Sequence, residues 1–439
     1  MAVAIFIAGP VVSTLSVIEW RDVGTSWIVF TAERDLRERR PVRKIVMSGL
    51  LALVVVAVAG GNALPAAAAR LAPLRQASSA AAFVISGKIS CGTPNSCLAV
   101  AENGSKSGGL AQVVEAWNGT AWRSIAVPKP TVARVYLAAL SCKSATACVV
   151  VGAYLTRAGA ERPYALTWNG ASLTPTAAPP VPKGGGLTSL TGVSCITARS
   201  CVAVGPSQGG AGPLIVETWN GAKWTLRTAR IPGGARSTYP GAVSCHFATF
   251  CVVAGESYSS LAGASAMLLA RWNGKGFTVM KAPVPAGAAN ITLNDISCPS
   301  ATFCGVAGFS AGSSGKRDFG FAEMWNGKSW TADKVAAPNG NAESFLFGIS
   351  CRPGGRCAAV GSAGASAAAK ATALSYNGKT WAAQNVPGPG PGKSSDFFGV
   401  NCLRDDQCTA IGEIVASGTA TATPLGGLWK GSSWRLVAA

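Results

Sequence analysis

The stretch VSCITARSCVAVG, residues 193–205, decides the fold of this chain. It places two cysteines six positions apart between short apolar runs of strand length. All 14 cysteines of the sequence fall into pairs with this spacing. The pairs are Cys91 and Cys97, Cys142 and Cys148, Cys195 and Cys201, Cys245 and Cys251, Cys298 and Cys304, Cys351 and Cys357, and Cys402 and Cys408. The pair of cysteines is therefore a sequence pattern that the chain repeats seven times.

The pairs recur with a period near 50, because successive first cysteines are 51, 53, 50, 53, 53 and 51 positions apart. Such a period is typical of repeat proteins in which each small sheet buries its apolar face only against its neighbours. We therefore expect one ring of seven units. The units lie near residues 81–131, 132–183, 184–235, 236–287, 288–340, 341–391 and 392–439.

The cysteine count also indicates the compartment. Because cytosolic thiols are kept reduced, complete pairing predicts seven disulfides and an oxidising environment. A zinc site is disfavoured, since zinc-binding pairs enclose about two to four residues. These pairs enclose five, and His246 is the one histidine of the sequence. No metal and no cofactor is predicted.

Residues 41–69 are predicted to be a secretory signal peptide. The basic segment RERRPVRK at 37–44 precedes the apolar run IVMSGLLALVVVAVAGG at 45–61, and small residues follow, with cleavage expected near Ala69. An uncleaved membrane anchor is the alternative, although the run is short for a transmembrane helix. Residues 1–40 are interpreted as an extra or mis-annotated N-terminal segment, and residues 70–80 as a linker.

Each unit is predicted to be a four-stranded antiparallel meander. The runs TGVSC, CVAVG, PLIVETWNG and KWTLRTA of one unit have strand length and end in turn residues. An Asn-Gly pair predicts a type I′ hairpin between the third and fourth strands. It begins at Asn118, Asn169, Asn220, Asn273, Asn326 and Asn377, and the seventh unit has Lys430-Gly431 instead. The fold class is therefore all-β, a seven-bladed β-propeller of four-stranded antiparallel blades.

An aromatic residue precedes each of these hairpins, and a large apolar residue follows five positions later. This fixed spacing predicts packing between sheets, with carbohydrate stacking as the alternative. The first set is Trp117, Trp168, Trp219, Trp272, Trp325, Tyr376 and Trp429. The second set is Trp122, Leu173, Trp224, Phe277, Trp330, Trp381 and Trp434.

The cysteines bracket the hairpin between the first and second strands. Facing strand ends lie within the ~4.4 to 6.8 Å Cα separation that a disulfide requires. Closing a loop of about seven residues stabilises by roughly 2.4 kcal/mol in the chain-entropy model. We therefore expect structural disulfides and no catalytic redox role.

The units resemble kelch repeats of a secreted bacterial type, with a C-x5-C pair and a W-N-G-x-x-W motif. Kelch repeats have a Gly-Gly doublet on the second strand, where this chain has one glycine. The positions are Val151-Gly152, Val204-Gly205, Ala254-Gly255, Ala307-Gly308 and Val360-Gly361. The resemblance covers residues 81–439 and implies a propeller. Because the chain starts on a first strand and ends on a fourth, blade one is expected to close the ring by packing against blade seven.

Charge and loop lengths give the functional expectations. Residues 81–439 hold 29 Lys and Arg against 14 Asp and Glu. Such an excess attracts polyanions such as cell-wall polymers, acidic glycans or anionic lipid, and the alternative is that it serves solubility alone. Nucleic acid is not expected, because no basic stripe with interleaved aromatics occurs. The loops of variable length, such as 206–212, 256–266 and 309–320, fall on one face. Binding is predicted on that variable-loop face and at the mouth of the channel.

No catalytic residues are predicted. His246 lies inside a cysteine-bracketed turn, and Glu115, Glu217 and Glu323 recur as a strand pattern. The sequence thus favours a secreted, monomeric, non-enzymatic binding or scaffold module whose partner is an anionic polymer, a glycan or a protein. A membrane-anchored ectodomain is one alternative. The other is a sialidase-like glycoside-processing enzyme, for which Tyr258 near Glu256 is the one tyrosine with an evident carboxylate companion.

Overall fold

A computed structural model of the chain describes residues 15–22, 25–32 and 82–438, apart from 105–109, 131–133, 178, 182–187, 207–213, 230, 232–236, 259–264, 313–316, 334, 336–342, 365–367 and 418–421. The chain divides into two compact units, Met1–Leu74 and Arg75–Ala439. The first contains an antiparallel hairpin of β1 (Leu15–Asp22) and β2 (Thr25–Ala32). The predicted signal peptide and linker lie outside the described residues. Within the described ranges, no helix is long and apolar enough to cross a bilayer.

The second unit consists of seven sheets, each a meander of four antiparallel strands, as the sequence predicts. Blades one to three contain β3 (Ala82–Thr93), β4 (Ser96–Gly104), β5 (Leu110–Trp117), β6 (Trp122–Ile125), β7 (Arg134–Ser144), β8 (Ala147–Leu155), β9 (Glu161–Trp168), β10 (Leu173–Pro175), β11 (Gly192–Thr197), β12 (Ser200–Gly205), β13 (Leu214–Trp219) and β14 (Trp224–Ala229). Blades four and five contain β15 (Ser237–Phe247), β16 (Phe250–Tyr258), β17 (Ser265–Trp272), β18 (Phe277–Val279), β19 (Ala288–Ser300), β20 (Phe303–Gly312), β21 (Phe319–Trp325) and β22 (Trp330–Asp333). Blades six and seven contain β23 (Ser344–Arg352), β24 (Arg356–Ala363), β25 (Lys370–Tyr376), β26 (Trp381–Gln384), β27 (Lys393–Arg404), β28 (Gln407–Ala416), β29 (Ala422–Trp429) and β30 (Trp434–Ala438).

The apolar core lies between the blades. Seven hydrophobic clusters occupy the seven blade interfaces, and each joins buried residues of two neighbouring blades. The seam between blades seven and one has its own cluster, in which Ile411 packs with Ile89 and Trp117. The ring therefore closes by packing of blade one against blade seven, and within the described residues each blade consists of four consecutive strands.

A circuit of hydrogen bonds joins the first strands around the channel. In each blade the first cysteine donates its backbone N–H to the side chain that precedes the first cysteine of the neighbouring blade, over 2.8–3.1 Å. The acceptors are Ser90, Ser141, Ser194, Ser244, Ser297, Ser350 and Asn401. Because the first strand is an edge strand, these side chains satisfy N–H groups that have no strand partner. Asn401 completes the circuit at the seam.

All seven predicted cysteine pairs form disulfides in the first hairpin of their blade. Their Cα atoms are 3.9–4.1 Å apart, closer than the sequence led us to expect. The reason is that in six of the seven blades the cysteines of a pair sit directly opposite each other across the two strands, as with Cys195 and Cys201. Each disulfide therefore fixes the register of its hairpin.

The prediction of type I′ turns at the Asn-Gly pairs is wrong. Trp117 pairs with Trp122, which leaves a loop of four residues, and the other blades repeat this register. Asn118 Oδ1 accepts the backbone N–H groups of Thr120 and Ala121 at 2.9 Å, and every Asn-Gly hairpin has the same two bonds. Asparagine is thus present as a side-chain acceptor, while glycine supplies the positive φ, which is 96° at Gly119.

A β-bulge on the first strand explains the glycine of the second strand. In blade two the register shifts between Leu137 and Ala139, and a Cβ added to Gly152 would lie 1.9 Å from the carbonyl oxygen of Tyr136. Gly205, Gly255, Gly308, Gly361 and Gly412 have the same close approach, at 1.7–2.2 Å. Glycine is required here because the bulged backbone leaves no room for a side chain.

Candidate functional site

A cavity of about 430 Å³ opens at the mouth of the central channel. Its walls come from the first strands of blades one, four, five, six and seven, together with the second strand of blade four. These strand segments lie at the end opposite the disulfide hairpins, so the cavity is on the variable-loop face. Its lining residues are Gly87, Lys88, Tyr239, Pro240, Gly241, Gly255, Glu256, Thr292, Leu293, Asn294, Phe347 and Phe398.

One wall of the cavity is aromatic. Phe347 and Phe398 occupy the bulges of β23 and β27, where an extra residue leaves the ladder and its side chain is turned out of the pleat. Their ring centroids are 5.7 Å apart. Phe345 stacks parallel to Phe347 at 6.1 Å, and Phe309 meets Phe345 edge to face at 5.1 Å. The four phenylalanines form a continuous aromatic arc across blades five to seven.

The opposite wall is polar and belongs to blade four. The Tyr258 hydroxyl donates a short hydrogen bond to Glu256 Oε2, and the Tyr258 ring meets the ring of Tyr239 edge to face at 5.8 Å. Burial, followed by the hydrogen bond and the charge of Glu256, raises the pKa of Tyr258 to about 12. The phenol therefore keeps its proton at neutral pH and acts as the donor to Glu256, whose side chain lines the cavity.

Lys88 forms the floor by reaching across the channel from blade one to blade five. Its Nζ donates to the carbonyl oxygen of Asn294 at 2.8 Å and lies 3.6 Å from Asp295 Oδ1. Asp295 is itself held by the backbone N–H groups of Ile296 and Ile349, at 3.0 and 3.1 Å. A smaller cavity of about 80 Å³ that Lys88 also lines lies further along the channel. The cavity at the channel mouth is thus a pocket that the Lys88 side chain closes at its inner end.

The carboxylates that the sequence singled out lie elsewhere. Glu115, Glu217 and Glu323 are buried on third strands and do not line the mouth cavity. Burial raises the pKa of Glu217 to about 8, and it raises the pKa of Glu115 in spite of a hydrogen bond from Ser124 at 2.5 Å. His246 lies on the turn face beside Phe247. Within the described residues, no three His, Cys, Asp or Glu side chains form a group that could hold a metal ion.

Six of the aromatic residues before the hairpins contact the aromatic residue five positions later on the fourth strand. Ring centroids of Trp219 and Trp224 are 5.2 Å apart, and the Trp117, Trp272, Trp325, Tyr376 and Trp429 pairs lie at 5.2–5.8 Å. These pairs are on the face away from the cavity. Of the loops predicted to bind, residues 207–213, 259–264 and 313–316 lie outside the described residues.

A further carboxyl pair was not predicted. Asp396 and Glu413 are direct cross-strand partners in blade seven. Burial and then the charge of Asp396 raise the pKa of Glu413 to about 7, and burial raises the pKa of Asp396 against a hydrogen bond from Ser362. Neither residue lines the mouth cavity.

The sequence reasoning also missed Lys88, Asn294, Phe347 and Phe398. A usable pattern was present, because the last three stand four positions before the first cysteine of their units. In the other units this position holds Gly87, Ala138, Thr191 and Gly241. Large residues on blades five to seven and small residues elsewhere make the mouth asymmetric.

No protein-family model matches the chain, and no curated protein matches it. Among solved structures, the chain is similar to a polysaccharide lyase of the PL25 family, an ulvan lyase, with 8% identity, a TM-score of 0.52 and coverage of 83% of this chain and 98% of that one. It is also similar to YCF48 from Cyanidioschyzon merolae, with 13% identity, a TM-score of 0.47 and coverage of 79% and 96%. The fucose-specific lectin from Aleuria aurantia has 9% identity, a TM-score of 0.37 and coverage of 82% and 96%.

At 8% identity, the likeness to the lyase shows a shared fold alone. The chain is thus a seven-bladed β-propeller with a disulfide in the first hairpin of every blade. Its seven disulfides indicate an oxidising environment. Since no family model matches, the kelch resemblance stays a prediction.

Proposed function

We propose that this protein is a secreted, monomeric, non-enzymatic module that binds a glycan at the cell exterior, with one saccharide unit held in the channel mouth. The observation that carries the proposal is the cavity of about 430 Å³ between an aromatic wall and a polar wall. Ligand pockets for small molecules are concave, mostly apolar, and carry a few polar groups that fix orientation. This cavity has that composition.

The two walls suit the two kinds of surface on a sugar. A pyranose ring has an apolar C–H face, which can pack on the rings of Phe347 and Phe398. Its hydroxyl groups can donate to the Glu256 carboxylate on the opposite wall. Because Lys88 is paired with Asp295, the charge that remains in the cavity is that of Glu256. The mouth therefore favours an uncharged saccharide unit.

A screen of immobilised glycans tests the proposal. The wild-type protein is expected to bind a subset of neutral glycans, and Phe347→Ala and Phe398→Ala are each expected to weaken binding at least tenfold. Phe247→Ala is the matched control, since Phe247 is 53% exposed on the turn face and its loss removes the same ring. Loss of all binding at high salt would contradict the proposal, because salt screens attraction between charges and an uncharged saccharide is held by ring stacking and short hydrogen bonds.

A second candidate function, glycoside processing, is favoured by the contact between Tyr258 and Glu256. A tyrosine with a carboxylate base replaces the usual carboxylate nucleophile in sialidases. Fluorogenic sialosides and neutral glycosides distinguish the two functions. Turnover that Tyr258→Phe abolishes while glycan binding persists would establish the enzyme and overturn the non-enzymatic proposal.

A further inference from the structure

A second cleft lies on the turn face, between blades six and seven. It has a volume of about 70 Å³, enough for one small functional group. Arg352, Arg356 and Arg404 line it together with Asp405, and the rings of Tyr376 and Trp429 form its apolar side. The turn face is opposite the channel mouth, so this cleft is separate from the proposed glycan site.

Two of the arginines face each other across a hairpin, so that two positive charges lie on neighbouring strands. Arg352 and Arg356 are direct cross-strand partners in the first hairpin of blade six. Like charges directly opposite on neighbouring strands are destabilising. Gly354 and Gly355, both with positive φ, complete the turn between them. The hairpin therefore holds two guanidinium groups side by side at a cost to its own stability.

Both guanidinium groups converge on one carboxylate of blade seven. Arg352 Nε lies 3.6 Å from Asp405 Oδ1, and Arg356 Nε lies 3.4 Å from Asp405 Oδ2. Arg352 Nη1 also donates to the carbonyl oxygen of Cys402 at 3.4 Å, which orients its side chain. The Asp405 side chain is 52% exposed, so the carboxylate of a ligand can take its place beside the two arginines. One carboxylate balances two arginines, and Arg404 adds a third positive charge.

The other six units do not repeat this arrangement. The residues that flank the cysteines on the turn side are Gly92 and Ser96, Lys143 and Ala147, Ile196 and Ser200, His246 and Phe250, Pro299 and Phe303, and Leu403 and Gln407. None of these pairs contains two basic residues of fixed charge. The pair of arginines is thus a local departure from the repeat and is not needed to build a blade.

We propose that the cleft between blades six and seven binds a carboxylate group of an acidic polysaccharide, held by Arg352 and Arg356 in competition with Asp405. Guanidinium groups match the planar geometry of a carboxylate. The small volume admits the carboxylate itself, and Tyr376 and Trp429 offer ring faces to the sugar that bears it. In this proposal the protein binds two ligands, a neutral saccharide unit in the channel mouth and an acidic polysaccharide in the cleft.

The first experiment measures binding of an oligogalacturonate by calorimetry at physiological salt. Arg352→Gln/Arg356→Gln is expected to weaken binding at least tenfold. Lys223→Gln/Lys275→Gln is the matched control, because it removes two charges from exposed hairpins of the same face, and a change of less than twofold is expected. An equal loss in both double variants would show attraction by overall charge and would overturn the proposal.

The second experiment uses Asp405→Asn. Because the substitution removes the internal competitor, affinity for the oligogalacturonate is expected to rise severalfold, and a fall in affinity would contradict the assignment. Hexaglutamate is tested beside it, and equal affinity for both probes would overturn the choice of a polysaccharide. Phe347→Ala is expected to leave oligogalacturonate binding unchanged, which keeps this outcome independent of the channel-mouth proposal.

Discussion

The blade interfaces and the channel mouth are built from the same repeats but differ in how far they follow them. Every interface has one hydrophobic cluster and one hydrogen bond from a cysteine N–H to the preceding blade. At the mouth, the bulge position changes from Gly241 to Asn294 to Phe347 around the ring. Residues that recur in every unit build the ring. Residues that differ between units give parts of the surface a chemistry that can select a ligand.

This difference gives a criterion for any substitution. Changes at repeated positions are expected to lower stability and to leave the affinity of the folded protein unchanged. Changes at Phe347, Phe398 or the Arg352 and Arg356 pair are expected to lower affinity and to leave stability unchanged. The four predictions below concern residues that hold the ring together, and each measures stability.

Reduction of the seven disulfides is expected to have the largest effect. The chain-entropy model gives at most about 16 kcal/mol for the set, as much as the whole stability of an ordinary domain. The reduced protein should therefore unfold at room temperature and lose its β-sheet circular dichroism. A thiol titration run in parallel counts the opened bridges. Retention of the native spectrum after all 14 thiols react would show that interface packing alone sustains the ring.

The second effect is a fall in stability with rising pH that comes from Glu217. Neither of its carboxyl oxygens has a hydrogen-bond partner among the described residues, and burial raises its pKa from 4.5 to about 8. Between these values the folded state keeps a proton that the unfolded chain has lost. The stabilising contribution is thus complete below pH 4.5 and is lost by about pH 8, by at most about 5 kcal/mol.

Denaturant unfolding at pH 5, 7 and 9 measures this loss. Glu217→Gln is expected to flatten the dependence on pH, because the amide does not titrate. Glu115→Gln is the control, since Glu115 has a hydrogen bond from Ser124 and its substitution should change the slope less. A slope that Glu217→Gln leaves unaltered would assign the titration to other buried groups, such as Glu413.

The third effect comes from the glycine of the second strand. Gly152→Ala places a methyl group 1.9 Å from the Tyr136 carbonyl oxygen, so the bulge must shift and the variant is expected to lose about 3 kcal/mol. Gly388→Ala is the matched control, because a Cβ there has no neighbour within 4 Å. Thermal melting compares the two, and equal melting temperatures would show that the bulge yields without cost.

The features that the sequence predicted are those that repeat. Seven copies of the cysteine spacing predicted the hairpins and their disulfides, and the phase of the strands predicted the closure of blade one on blade seven. The hairpin type was wrong because propensity alone does not show that Asn118 accepts two backbone N–H groups, which favours a longer loop. The serine before six of the seven first cysteines was visible in the sequence, yet its partner lies about 50 residues away on another blade.

From the sequence, the channel mouth could be predicted as the place of a binding site, but the residues that line it could not. Whether Phe347 faces the channel or the blade interface depends on a bulge, and one residue of register reverses every side chain of a strand. The contact of Lys88 with Asp295 requires the ring to bring blades one and five together across the channel, which no local pattern encodes. Glu256 and Tyr258 are the exception, since residues two apart on one strand share a face.

The smallest effect tests whether the seam of the ring is weaker than its other interfaces. Asn401→Ala removes the acceptor for the Cys91 N–H, and Ser194→Ala removes the equivalent acceptor for the Cys245 N–H inside the chain of blades. Each is expected to cost about 1 kcal/mol, the net value of one hydrogen bond. The seam joins blade seven to blade one, which are not consecutive in the sequence, so local opening there can exceed opening elsewhere. Amide hydrogen exchange measures this on β3 and β27 in Asn401→Ala and on β11 and β15 in Ser194→Ala, and a larger increase in Asn401→Ala would locate the weaker interface between blades seven and one.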